Sequence, residues 1–238
     1  MAASLASFLF LREKPLTEAA LQHANETGFF TNLKIAVRGD PVFRRLLLAR
    51  LLTGVEAMAA SFYIVFIKDG LKLDDSAIGT FTQVLIIGAM AGLLLFGWLN
   101  ERFGARRVIQ ASSTFQFIGP LLSLTIALLP FLLSQYPAIA FGIMVVVMAL
   151  RGAVEHSLVL GFVGYVMDYA PERNRAMYVG IINTVGGIVS LMPILGGILL
   201  EGLLPVGASL AYSVVFGIAA LLVGLGLILA YRLPKVAN

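Results

Sequence analysis

The sequence is 238 residues long, 59% hydrophobic and 13% charged, with a net charge of +4 and no cysteine. So large an apolar share excludes an ordinary soluble domain, and the lack of cysteine excludes disulfides, cysteine-ligated metals and thiol nucleophiles. The basic residues fall in the gaps between apolar runs rather than on one face, which argues against nucleic acid as a partner.

Residues 1–11 hold a short apolar run, Leu5 to Leu11, followed by Arg12, Glu13, Lys14 and Pro15. A signal peptide carries its positive charge before the apolar run. Here the order is reversed, and the segment reads as the tail of a helix leaving a membrane. Residues 16–40 mix apolar and polar positions at helical spacing. They read as one or two surface helices broken near Gly28 and ended by Gly39-Asp40-Pro41. His23 reads as a solvated surface residue. Residues 1–42 are therefore expected to be the end of a preceding helix plus a cytoplasmic linker, and 43–238 a membrane domain.

Six apolar runs follow, over residues 43–67, 78–99, 108–129, 138–167, 177–200 and 208–231. Each is long enough for a membrane helix. Arg38, Arg44 and Arg45 precede the first. Arg102, Arg106 and Arg107 separate the second from the third, Arg173 and Arg175 the fourth from the fifth, and Arg232 and Lys235 follow the sixth. The intervening loops hold only Lys68 and Lys72. The bias of basic residues to the inner side then predicts cytoplasmic termini. The sixth run is nearly all apolar and reads as lipid-facing.

The stretch Gly97-Trp98-Leu99-Asn100-Glu101-Arg102-Phe103-Gly104-Ala105-Arg106-Arg107 joins the second run to the third. Gly97 leaves room for a second helix, and Leu99 ends the apolar run. Glu101 and Arg102 are placed to cap helix ends and to pair across the loop. Gly104 permits the positive φ of a tight turn. Arg106 and Arg107 hold the loop on the basic side. The pattern resembles the loop signature of the major facilitator superfamily of transporters: glycine, any, leucine, any, acid, arginine, any, glycine, any, two basic residues. Glu101 stands where that family prefers aspartate. Gly197-Ile198-Leu199-Leu200-Glu201 echoes the start of this stretch in the fifth run.

The resemblance implies an all-α membrane protein of six transmembrane helices, built as two inverted three-helix repeats and matching the C-terminal half of such a transporter. It implies transmembrane transport of a small solute by alternating access, with proton coupling expected, in the cell (inner) membrane. The partners implied are the solute, the lipid bilayer, and either the missing N-terminal six-helix half or a second copy. The alternative is a six-helix scaffold or regulatory subunit that does not transport.

Arg50, Glu56, Arg151 and Glu155 are charged positions inside the runs. A charge at a helix centre costs about 2.5–3.5 kcal/mol to insert, so such residues pair or line a polar cavity. Arg50 is close enough to the start of its run to snorkel. Thr53, Glu56 and Tyr63 share a stripe with the small residues Ala49 and Ala60. Arg151 and Glu155 are spaced to touch along one helix, and His156 points away from Glu155. Gly88 and Gly92 are spaced for close helix packing. Pro193, Gly196 and Gly197 predict a kink. In the family resembled, the first, second, fourth and fifth helices of this half line a central cavity. That resemblance selects Glu56, Tyr63, Gln83, Arg151, Glu155 and Asn183 as the substrate or proton path.

No phosphate-cradling G-x-x-x-x-G-K-S/T loop and no H-E-x-x-H pair occurs. His156 followed directly by Ser157 is the wrong arrangement for an intramembrane serine protease, and Thr184-Val185-Gly186-Gly187 stops short of a potassium filter. Neither catalysis, a cofactor nor a metal is expected.

Overall fold

The computed structural model describes residues 38–73 and 75–235. Among the described residues every regular element is helical. Six helices are long and apolar enough to cross a membrane: α1 Pro41–Leu71, α2 Ser76–Phe103, α3 Ala105–Leu128, α4 Pro137–Tyr169, α5 Arg175–Leu203 and α6 Ala208–Tyr231. The all-α, six-helix expectation holds. The apolar run before Arg12, His23 and most of the expected linker lie outside the described residues.

Arg38 and Gly39 are helical and Asp40 is not, so a helix ends at Gly39-Asp40-Pro41 as expected, and Asp40 and Pro41 also open α1. The Asp40 carboxylate accepts from the Val42 and Phe43 N–H groups at 3.0 and 2.9 Å, with Pro41 in the first turn. An acidic cap followed by proline is a helix start.

Four helix contacts organise the bundle: α2 on α4, α5 on α1, α6 on α3 and α6 on α1, with α3 also against α4. Exchanging α1–α3 for α4–α6 converts the α2–α4 contact into α5–α1, converts α6–α1 into α3–α4, and leaves α3–α6 unchanged. That is the contact pattern of two three-helix units. The α2–α4 crossing is very close. A Cβ added at Gly88, Gly92 or Gly152 would run into the Ala149, Ala153 or Leu85 carbonyl oxygen respectively. The expected small-residue packing at Gly88 and Gly92 is therefore present, with Gly152 supplying the other side.

The main core lies between α1, α3, α4 and α6. Tyr63 and Phe66 of α1 meet Tyr212 and Phe216 of α6, with ring centroids 4.9 to 5.6 Å apart. This corrects the lipid-facing reading of α6. Its Ala211, Val215, Ala219 and Val223 are fully buried, while Leu221, Leu225 and Ile228 face outward. A helix apolar all round hides which face packs, because small residues on one side are as hydrophobic as leucine on the other.

Three of the six helices are interrupted inside their length. α1 consists of Pro41–Gly54, Glu56–Ala60 and Tyr63–Leu71. α4 is α-helical over Pro137–Val154, passes through a π-helical turn at Val159–Val163, and resumes over Gly164–Tyr169. α5 breaks between Val189 and Met192, where Pro193 begins the second piece. The kink expected from Pro193, Gly196 and Gly197 is there. Side-chain hydroxyls take up backbone carbonyls near each break: Ser61 donates to Ala57, Ser157 to Val154 and Ser190 to Gly187. Such substitution is what an interrupted helix at membrane depth requires.

Candidate functional site

Glu56 stands at the first break in α1 and Glu155 at the break in α4, both midway along their helices. One arginine connects them. Arg151 Nη1 pairs with Glu155 Oε2 at 2.7 Å, one turn away on the same helix. Its Nε lies 3.5 Å from Glu56 Oε2 across the α1–α4 seam. The Glu56 side chain is only 5% exposed, against 46% for Glu155. The cluster therefore has a dry end and an open end. With both carboxylates ionised it carries one excess negative charge.

The sequence predicts the Arg151–Glu155 pair, and the structure contains it. The Arg151–Glu56 contact between helices goes beyond it. Tyr63, on the same stripe of α1, is fully buried and lies beside Glu56. Ala49 and Thr53 of that stripe are fully buried too. Gln83 on α2 and Asn183 on α5 are exposed, and neither hydrogen-bonds to a described residue. His156, Asn183 and Thr184 are exposed along with Glu155. Polar groups exposed midway along spanning helices face water or another protein surface rather than lipid.

Arg50 departs from its expectation. Its guanidinium does not reach back to the helix end. It lies 5.4 Å over the Phe162 ring of α4, and its Nη1 is buried without a partner.

The loop between α2 and α3 occupies the end of the bundle where the basic residues gather. Gly104 adopts φ +79° and ψ 168°, a region open to glycine, as its place in the motif predicts. Leu99 packs on Phe96, Val108 and Val154. Within the described residues nothing lies within 4 Å of a Cβ placed on Gly97, so the room it leaves is not filled by a described helix. Glu101 makes no ion pair with Arg102; the Arg102 guanidinium instead lies 5.9 and 6.0 Å over the rings of Trp98 and Phe103. An exposed ion pair is weak, and stacking keeps the cation hydrated on one side. Arg107 bonds the Gln110 side chain at 3.2 Å. A cleft of about 710 Å³ opens beside this loop, walled by its charged residues together with Tyr165, Asp168 and Lys235.

Two features of this end carry no sequence expectation. Arg45 donates to the Arg232 carbonyl at 2.6 Å and Arg106 to that of Tyr231 at 3.4 Å, so cations from α1 and α3 cap the negative end of α6. Asp40, beyond capping α1, accepts from the Tyr169 hydroxyl of α4 at 2.7 Å and the Tyr178 hydroxyl of α5 at 3.2 Å. The acid-proline start at Asp40-Pro41 was the available signal for the cap. No local pattern points to the two tyrosines.

A Corynebacterium glutamicum protein named as a gentisate transporter is 30% identical over 156 residues, covering 65% of this chain. The aligned stretch spans only 32% of that relative's length. The family model described as Major Facilitator Superfamily matches residues 46–238, the whole six-helix region but its first turn. With that match, the loop motif and six spanning helices, the chain is an integral membrane protein that belongs to the Major Facilitator Superfamily.

Proposed function

We propose that this chain supplies one six-helix half of a secondary transporter that moves a small solute by alternating access, coupled to protons. The observation that carries the reading is Arg151 held between Glu56 and Glu155 where α1 and α4 are both broken. A proton on Glu155 removes one of the two charges that hold Arg151 and leaves the buried Glu56 as its sole partner. The two protonation states then differ in how firmly α4 is tied to α1. A ligand or proton shifts a conformational equilibrium only through such a difference. Glu155 is the accessible member and serves as proton acceptor; Glu56 stays the anchor.

Gln83 and Asn183, exposed on α2 and α5, extend the solute path, and Tyr63 backs the anchor. The α2–α3 loop from Gly97 to Arg107 acts at the gate. The remaining cavity wall comes from an N-terminal six-helix half or a second copy. The bias of basic residues to the inner side supports a cytoplasmic basic end, with both termini there in a cell (inner) membrane. The relative's name brings gentisate, an aromatic carboxylate, into consideration as the solute.

The test is flux in proteoliposomes containing the chain together with the half that completes its cavity, with labelled gentisate as probe and an imposed proton gradient. Gradient-driven uptake is expected from the unaltered chain. Glu155→Gln should abolish gradient-driven accumulation while leaving equilibrative exchange. Equal gradient-driven uptake by Glu155→Gln and the unaltered chain refutes the coupling role.

A further inference from the structure

Arg50 is a cation left over by the cluster that holds Arg151. It lies on α1, toward the basic end from Glu56. Its guanidinium enters the seam between α1, α4 and α5. Phe162, in the π-helical turn of α4, lies beneath it at 5.4 Å. On the α5 side its Nη2 stands where a Cβ on Gly186 would come within 3.3 Å. Its side chain makes no hydrogen bond or ion pair with a described residue, and its Nη1 is buried. Both carboxylates at this depth are engaged by Arg151.

A guanidinium offers five N–H donors and stays charged at any physiological pH. The Phe162 ring attracts the charge but accepts none of those hydrogen bonds in a useful way. A cation within a membrane span, without a carboxylate partner, calls for an anion from outside the chain.

The charges at this depth say which anion. The Glu56–Arg151–Glu155 cluster already holds two carboxylates on one guanidinium, so it repels a further anion. Arg50 carries a single compensating positive charge, which suits a monoanion rather than a phosphate dianion. A planar fork with an aromatic ring on one face matches a carboxylate bound through both oxygens. The bound monoanion and one proton on the cluster together leave the site neutral, so the two would travel as a pair.

We propose that Arg50 is the anion-recognising residue of the solute path and that it takes an organic monocarboxylate, with Phe162 backing the guanidinium and the side-chain-free Gly186 beside its Nη2. This rests on the transport reading above and names the class of solute.

The experiment is calorimetric titration of the full purified chain in lipid nanodiscs with sodium benzoate and sodium butyrate, and with benzamide as the uncharged counterpart of benzoate. Benzoate should bind at least tenfold more tightly than benzamide. Arg50→Gln should weaken benzoate at least tenfold and leave benzamide unchanged. Arg50→Lys, which keeps the charge and loses the fork, should fall between. Gly186→Ala, which crowds Nη2 without removing charge, should weaken benzoate severalfold. Unchanged benzoate affinity in a monodisperse Arg50→Gln variant overturns the assignment. Should that variant not fold, unchanged affinity in Gly186→Ala overturns it. Failure of the unaltered chain to bind either carboxylate overturns the monocarboxylate class, while proton coupling stands or falls separately on the Glu155→Gln flux.

Discussion

Arg151 of α4 lies 3.5 Å from Glu56 of α1, and this contact joins the two helices at the depth where each is interrupted. The pair is unequal. Glu56 is buried and, among the described residues, has Arg151 as its one ion-pair partner, whereas Arg151 also has Glu155.

Removing the arginine should therefore do more harm than removing the buried acid. Arg151→Met strands Glu56 as a buried, unpaired carboxylate, a change that costs about 3–5 kcal/mol. Glu56→Gln removes a charge and leaves Arg151 bound to Glu155, so its loss should be clearly smaller. The double variant Glu56→Gln/Arg151→Met should lose less than the sum of the two by at least about 1 kcal/mol, because the stranded charge is gone. Denaturation of all four chains in one detergent measures this. Additive losses would mean that the contact does not couple the helices.

Glu155 should behave differently although its bond to Arg151 is the shorter. Its side chain is 46% exposed, so water solvates it whenever the bond opens. Such a pair contributes about 0–1 kcal/mol. Glu155→Gln should leave thermal stability within that range while changing proton-driven flux. A large stability loss in this variant would show Glu155 to be a structural member of the cluster and would leave the accessible proton acceptor unidentified.

The parts of this arrangement legible in the sequence are those written locally. Apolar run length predicts all six spans, and one-turn spacing predicts the Arg151–Glu155 bond. The turn at Gly104 follows from its motif. Glu56 and Arg151 are far apart in the chain, and only the packing of α4 beside α1 brings them together. Arg50 is misread for the same reason: depth along its own helix suggests snorkelling, and the ring that holds it belongs to α4. The buried face of α6 is hidden because its whole surface is apolar. Neighbours chosen by packing leave no trace in one-helix periodicity.

Asp40 ties three helices at the basic end, and its contributions are separable. It caps α1 through Val42 and Phe43, and it accepts from Tyr169 and Tyr178. Loss of a cap costs about 0.5–2 kcal/mol. Asp40→Ala should exceed that range by the two charge-assisted bonds, each worth about 1.5–3 kcal/mol. Asp40→Ser, which still caps but reaches neither tyrosine, should recover only the capping share. In the Tyr169→Phe/Tyr178→Phe background, Asp40→Ala should cost the cap alone. Equal losses in both backgrounds would reduce the tyrosine contacts to incidental neighbours. Unfolding followed by circular dichroism distinguishes these cases.

The close crossing of α2 and α4 sets where Arg151 stands, because Gly152 is the next residue. A Cβ at Gly152 would collide with the Leu85 carbonyl oxygen, and backbone cannot swing aside as a side chain can. Gly152→Ala must therefore push α4 away from α2, with an overpacking cost of about 1–3 kcal/mol. The same displacement carries Arg151 off Glu56, so the variant should also lose the coupling between those two residues in a double-variant cycle. Gly142, on the same helix, has nothing within 4 Å of its Cβ position. There, alanine only lowers the entropy of the unfolded chain and raises helix propensity, a gain of about 0.4–1 kcal/mol. Opposite signs for Gly152→Ala and Gly142→Ala, measured by thermal unfolding, would separate the demand for close approach from any general intolerance of substitution in α4. If both variants lose stability alike, the α2–α4 crossing is not what positions the arginine.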